Sequence, residues 1–170
     1  MKQLVLIRHA KSSWKHPQLS DHDRPLNKRG NRNLPLMAEH IRQQGFSVER
    51  LVSSSAVRAA TTAKALAAPL LQLPEQAAEH ALEMEAGLYQ FDWRPLWHYL
   101  KQQPDSLQRL ALVGHNPALE ELQQQLSGEW LSLPTCALVV LRLPIDHWHD
   151  LQFGCASLVY QARPKELSLE

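Results

Sequence analysis

Residues 3–7 read QLVLI, a short apolar run with no polar alternation, and it stops at once on Arg8-His9. A strand of that composition has no face to give to water. It has to be covered on both sides, which is the position of an inner strand in a parallel sheet with helices above and below. Residues 107–113 (LQRLALV) repeat the pattern and stop on Gly114-His115-Asn116-Pro117. Residues 48–53 give another strand, running into Ser53-Ser54-Ser55 and then Arg58.

The intervening stretches fit the helices such a sheet needs. Residues 28–44 place Leu34, Met37, Ala38 and Ile41 at helical spacing, with Pro35 predicting a kink or a late start and Gly45 a stop. Residues 56–71 are alanine-rich and predict a helix ending near Pro69 and Pro74. Residues 95–103 predict a helix that accepts Pro95 in its first turn, and residues 118–126 another. Residues 8–27 are polar and loop-like. Further strands are expected at 80–84, 137–143, 150–153 and 157–162. The last of these follow one another without helices, so part of the sheet edge should be antiparallel. The expectation is one α/β domain over 1–163, with residues 164–170 as a frayed tail.

Composition narrows the function. The chain of 170 residues is 44% hydrophobic and 21% charged, with a formal net charge of +1. That profile does not suggest nucleic-acid or membrane-surface binding. No apolar stretch approaches the ~20 residues of a membrane span, and the N-terminus lacks a signal-peptide pattern. A cytoplasmic protein is expected. The two cysteines, Cys136 and Cys155, form no paired motif and read as small hydrophobic residues.

Three strands therefore deliver Arg8, His9, Arg58 and His115 near their carboxyl ends, where open α/β sheets bind ligands. The combination suits a phosphoryl group. Guanidinium forks match its oxygens, helix N-termini near Ser55 and Pro117 favour an anion, and imidazole is a competent nucleophile. Two arginines and a second histidine can stabilise charge without a metal. Asp146-His147-Trp148-His149-Asp150 sets two histidines on one strand face but brings no third ligand, so no metal site is expected there, and no cofactor elsewhere.

Five segments, in order along nearly the whole chain, resemble the histidine phosphatase superfamily and its small SixA-type phosphohistidine phosphatase branch. They are LVLIRHAKSSW at the start, DHDRPLNKRG (21–30), LVSSSAVRAATTA (51–63), LALVGHNPALEEL (110–122) and LPTCALVVLRL (133–143). The resemblance implies a phosphoglycerate-mutase-like, three-layer α/β/α sandwich. It implies a phosphohistidine intermediate on His9, with Arg8, Arg58 and His115 forming the phosphate pocket. Arg24 is implied as a rim contact and Asn116 as a further substrate-binding residue. Ser12 and Ser13 are candidate phosphate donors from their loop position.

Ser55 departs from the family's proline and Ala10 from its common glycine. No clear match exists to the carboxylate that serves larger members as general acid. Glu85, with Glu83, is the nearest candidate, though alternating solvated carboxylates on a short strand explain both. Asp21 and Asp23 are further candidates that read first as turn residues. Without a strong acid, a P–N bond is the favoured substrate, because imidazole leaves more readily than an alkoxide. The expected activity is a metal-independent phosphatase acting on a phosphorylated protein, most specifically a protein phosphohistidine phosphatase. The alternatives are a broad small-molecule phosphomonoesterase and a non-catalytic phosphate-binding module. The chain is expected to be a monomer or weak dimer.

Overall fold

The computed structural model describes residues 1–167. Among them, six strands form one sheet in the order β3-β2-β4-β1-β5-β6. These are β1 (Lys2–Arg8), β2 (Arg50–Ser54), β3 (Glu83–Glu85), β4 (Arg109–Gly114), β5 (Leu138–Leu143) and β6 (Ser157–Ala162). β3, β2, β4 and β1 run parallel, whereas β5 and β6 add antiparallel at one edge.

The unbroken apolar run of β1 follows from its two-sided burial. Val5 and Ile7 face one core with Met37, Ile41, Leu66 and Leu70. Leu4 and Leu6 face a second core with Leu96, Leu119, Leu122 and Leu126. Helices α1 (Lys28–Gln44) and α2 (Val57–Leu71) cover the first face; α4 (Trp93–Lys101) and α5 (Ala118–Ser127) cover the other. The result is an α/β/α sandwich.

Local chemistry explains most helix limits. Asn27 accepts from the Gly30 N–H and starts α1 at Lys28, so Pro35 does not delay it. The helix continues past Pro35, which lies on the exposed face. Gly45, at φ 75°, ends it in the left-handed conformation. α2 likewise runs through Pro69 to Leu71. Asp92 caps α4 through the Arg94 N–H at 2.8 Å, which leaves Pro95 in a first turn that needs no N–H there.

Three expectations need correction. The strand expected at 80–84 is instead the end of α3 (Glu75–Ala81) followed by the three-residue β3. The strand expected at 150–153 is a 3₁₀ turn, Trp148–Asp150, and a bend. Trp148 is fully buried there and its indole N–H donates to the Leu107 carbonyl at 2.8 Å, which fixes a turn rather than a pleat. Within the expected tail, Pro164–Leu167 forms α6, with Pro164 buried and the helix against α1. Residues 168–170 lie outside the described residues.

Candidate active site

Strand register assembles the site. β1 and β4 pair in parallel with Arg8 opposite Gly114, so His9 and His115 leave adjacent strands side by side. Their rings lie 5.2 Å apart, tilted by 52°. β2 pairs with the other edge of β4, Ser53 opposite Val113, so Ser54 emerges beside His115. The Cys136 N–H donates to both the Arg8 and His9 carbonyls, at 3.1 and 3.0 Å, tying the end of β1 to the β5 approach.

The protonation of His9 is set by geometry. Its Nδ1 lies 2.7 Å from the Ala10 carbonyl, which accepts only, so in neutral imidazole Nδ1 carries the proton and Nε2 keeps its lone pair. The Ala10 N–H is held by Thr62 Oγ1 at 2.9 Å, and the Thr62 hydroxyl donates to the Arg58 carbonyl at 2.8 Å. One buried threonine, a turn beyond Arg58, thus ties the histidine loop to α2.

His115 is set in the same tautomer by a different contact. Its Nε2 lies 2.8 Å from Ser54 Oγ, which already accepts from the Ala56 N–H. Ser54 is fully buried, and His115 Nε2 is the acceptor its hydroxyl proton reaches. That leaves Nδ1 protonated, buried and without a partner among the described residues. The Nε atoms of Arg8 and Arg58 are buried and unpartnered in the same way. Arg8 and Arg58, whose charges reach His9, and His115 beside it thus each carry a buried N–H donor without a partner among the described residues, and burying such groups is costly unless an acceptor visits them.

Burial, helped by the cationic surroundings, keeps both rings neutral. Burial lowers the His9 pKa to about 4, helped by Arg58, Arg8 and Arg24 and opposed by the Ala10 carbonyl. Burial lowers that of His115 to about 3, helped by His9, Arg58 and Arg8 and opposed by Asp21.

Asp21 is the residue the sequence undervalued. Its carboxylate pairs with Arg58 Nη2 at 2.9 Å and Arg24 Nε at 3.2 Å and accepts from the Tyr89 hydroxyl, while its carbonyl takes Arg58 Nη1 at 2.6 Å. Burial raises its pKa, but the Tyr89, Arg58 and Arg24 contacts outweigh that and hold it at about 2. Tyr89 and Phe91 in turn stand 5.2 and 5.5 Å from the His115 ring.

The remaining expected residues fall around this centre. Arg24 is buried and donates to Ser12 Oγ at 2.8 Å, so Ser12 is engaged in holding Arg24. Trp14 is 75% exposed, its ring beneath the Arg24 guanidinium at 3.6 Å. The Asn116 amide donates to the Leu133 carbonyl at 2.8 Å, and its oxygen accepts from the Glu120 N–H at 3.3 Å. Leu133 O also takes Arg8 Nη1 at 3.2 Å. Glu85 turns onto its own loop, accepting from the Gly87 N–H at 3.0 Å, and Glu83 pairs with Arg50 at 2.7 Å. Asp23 is bonded to His22.

Away from the centre, His147 and His149 stack at 5.2 Å, with His147 bonded to Asp105 at 2.9 Å. Among the described residues no three His, Cys, Asp or Glu side chains are grouped to hold a metal ion. Trp93 and Trp97 pack edge to face at 5.8 Å beside the second core. Both cysteines are free, Cys136 buried. No helix among the described residues is long and apolar enough to cross a membrane.

Comparison with known proteins gives a family for most of the chain and a fold for nearly all of it. The model of the histidine phosphatase superfamily (branch 1) matches residues 4–125. An uncharacterised protein of Mycobacterium tuberculosis is 32% identical over 164 residues, covering 90% of this chain and 96% of its own. The structure of the protein histidine phosphatase SixA complexed with tungstate superposes with a TM-score of 0.78 at 24% identity, covering 97% of this chain and 99% of that one. A mycobacterial glucosyl-3-phosphoglycerate phosphatase in complex with VO3 superposes at 0.67 and 15% identity, covering 96% and 100%. At these identities the structural likeness concerns the fold.

Proposed function

We propose, from the premise that this chain belongs to branch 1 of the histidine phosphatase superfamily, that it is a protein phosphohistidine phosphatase with His9 as nucleophile. The observation that carries the reading is the His9 Nε2 lone pair, freed by the Nδ1–H bond to Ala10, beside three buried N–H donors without partners on Arg8, Arg58 and His115. In this reading residues 1–163 act as one catalytic domain.

In the first step His9 Nε2 attacks phosphorus as the P–N bond to the substrate's imidazole breaks. Arg8 and Arg58 Nε–H and His115 Nδ1–H donate to the non-bridging oxygens as charge shifts onto them. The departing imidazole takes a proton from water. In the second step water attacks phosphohistidine-9 and releases phosphate. Two guanidinium groups and a neutral imidazole donor supply the charge stabilisation, so no metal ion enters the scheme. Arg24 and Asp21 hold Arg58 and the rim in position.

The leaving group follows from the acids at hand. Asp21 is held near pKa 2 and is ionised at neutral pH, a poor proton donor to an alkoxide. Glu85 is turned onto Gly87. An imidazole leaving group makes less demand on such an acid, which favours a P–N bond over an alkyl phosphate.

The test compares wild type with His9→Ala on a phosphohistidine peptide, p-nitrophenyl phosphate and an alkyl phosphate, with EDTA present. Wild type is expected to prefer the phosphohistidine peptide, to form an acid-labile phosphoenzyme, and to lose turnover in the variant. Undiminished turnover by His9→Ala removes the nucleophile assignment, and loss of wild-type turnover in EDTA removes metal independence.

A further inference from the structure

Residues 8–32 carry seven Lys and Arg against two Asp, a net +5 with histidines neutral, in a chain whose total is +1, so the other 145 residues carry −4. Arg8 and Arg24 are engaged inside the site. The other five cations, Lys11, Lys15, Lys28, Arg29 and Arg32, are exposed, and none has an ion pair or side-chain hydrogen bond among the described residues.

The fold gathers them at one rim. The Ser13 N–H donates to the Pro25 carbonyl at 2.8 Å and the Asn27 N–H to the Lys11 carbonyl at 3.0 Å, with a bridge between Ser12 and Leu26. Gly30 then lies directly on Lys11, two residues beyond His9: a Cβ on Gly30 would meet the Lys11 carbonyl oxygen at 2.2 Å. The basic first turn of α1 therefore abuts the loop that leaves the nucleophile.

Helix stability does not account for these cations. α1 has no acidic residue in its first turn, and Lys28 and Arg29 sit at the positive end of the helix dipole, which disfavours them. The same loop exposes Trp14, 75% accessible and backed by the Arg24 guanidinium at 3.6 Å. Tryptophan and arginine are the side chains that dominate protein interfaces. An extended basic rim with an indole, beside the nucleophile loop, matches a carboxylate-rich protein surface that carries one phosphohistidine.

We propose that Lys11, Lys15, Lys28, Arg29, Arg32 and Trp14 form a docking surface for an acidic phosphoprotein, a specificity element that rests on the phosphohistidine phosphatase reading. The cations steer the acidic partner, raising the association rate, and Trp14 anchors it.

The experiment uses equal-length phosphohistidine peptides flanked by Asp and Glu, by Ser, or by Lys. At low salt kcat/KM should favour the acidic peptide over the lysine peptide by about 10-fold or more, and high salt should remove the difference. The triple variant Lys28→Glu, Arg29→Glu, Arg32→Glu should reverse the preference. It should leave hydrolysis of free phosphoramidate, too small to span the patch, at the wild-type rate. Acidic residues in that turn favour the helix, so folding is retained. Equal kcat/KM for the peptides, or an unchanged preference in the variant, overturns the proposal. Stronger inhibition by an oligothymidylate than by an unphosphorylated acidic peptide of equal charge also overturns it, in favour of a nucleic acid. If wild type hydrolyses neither phosphoramidate nor any phosphohistidine peptide, the phosphatase reading is what fails. Anisotropy of the labelled, unphosphorylated peptides then decides docking: tighter binding of the acidic peptide to wild type than to the triple variant supports it, and no difference ends it.

Discussion

Moving the protein from pH 7 to pH 5 should cost about 4 kcal/mol of folding stability, nearly all of it through two histidines. His9 and His115 are held neutral by burial and by the arginines around them, with pKa values of about 4 and about 3 against the ordinary 6.5. Because the folded values lie below the unfolded one, the unfolded chain takes up protons first as the pH falls. Stability is intact above 6.5 and declines as pH drops toward the folded values. At pH 5 each ring has been overtaken by roughly 1.5 pH units of unfolded-state protonation, about 2 kcal/mol apiece. Asp21 acts in the same direction over a lower window: held at about 2 against the ordinary 3.8, it contributes its full stabilisation above the ordinary carboxylate range and loses it as pH falls below that range. Urea unfolding of wild type and His115→Gln at pH 7 and pH 5 reads the effect, and the variant should lose about half as much between the two. A wild-type loss under about 1 kcal/mol, or the same loss in the variant, refutes the reasoning. Turnover should meanwhile stay level to pH 5 and fall toward pH 4, because His9 remains neutral over that range.

Two substitutions probe how the nucleophile loop is held. Thr62→Val keeps the shape but strands the buried Ala10 N–H, so stability should fall by about 1–3 kcal/mol, lowering Tm by roughly 2–4 °C per kcal/mol. Turnover should drop with it because the Ala10 carbonyl orients His9; Thr62→Ser should restore both, and an unchanged melting curve and rate would count against the link. Gly30→Ala places a Cβ 2.2 Å from the Lys11 carbonyl oxygen, which forces α1 away from the loop at a cost of about 1–3 kcal/mol or more. At Gly45 nothing lies within 4 Å of the added Cβ, so Gly45→Ala carries only the strain of φ 75°, about 1–2 kcal/mol; thermal melts that rank the two the other way would refute the packing argument.

The sheet was legible because β1 and β4 are apolar without alternation, and only double-sided burial explains that. Their termini on Arg8-His9 and Gly114-His115 placed the site at the carboxyl edge for the same reason. Where the element was short or half-exposed, local pattern failed: β3 is three residues long, and the turn at Trp148 is decided by one buried indole reaching the Leu107 carbonyl across the chain.

The sequence by itself determined the fold class and the family, and it singled out Arg8, His9, Arg58 and His115 as the proposed set, since each depends on local composition and order along the chain. Only the tertiary structure decided what state those side chains are in. Ser54 sets the proton on the His115 ring through a contact spanning 61 residues, and Thr62 holds the loop whose Ala10 carbonyl orients His9 through one spanning 52. Asp21 clamps Arg58 across 37 residues and meets Tyr89 across 68. A proton on one nitrogen rather than another, or a carboxylate held at low pKa, is set by whichever groups lie within a hydrogen bond's length. Chain separation carries no record of that distance until the parallel strands fix their register.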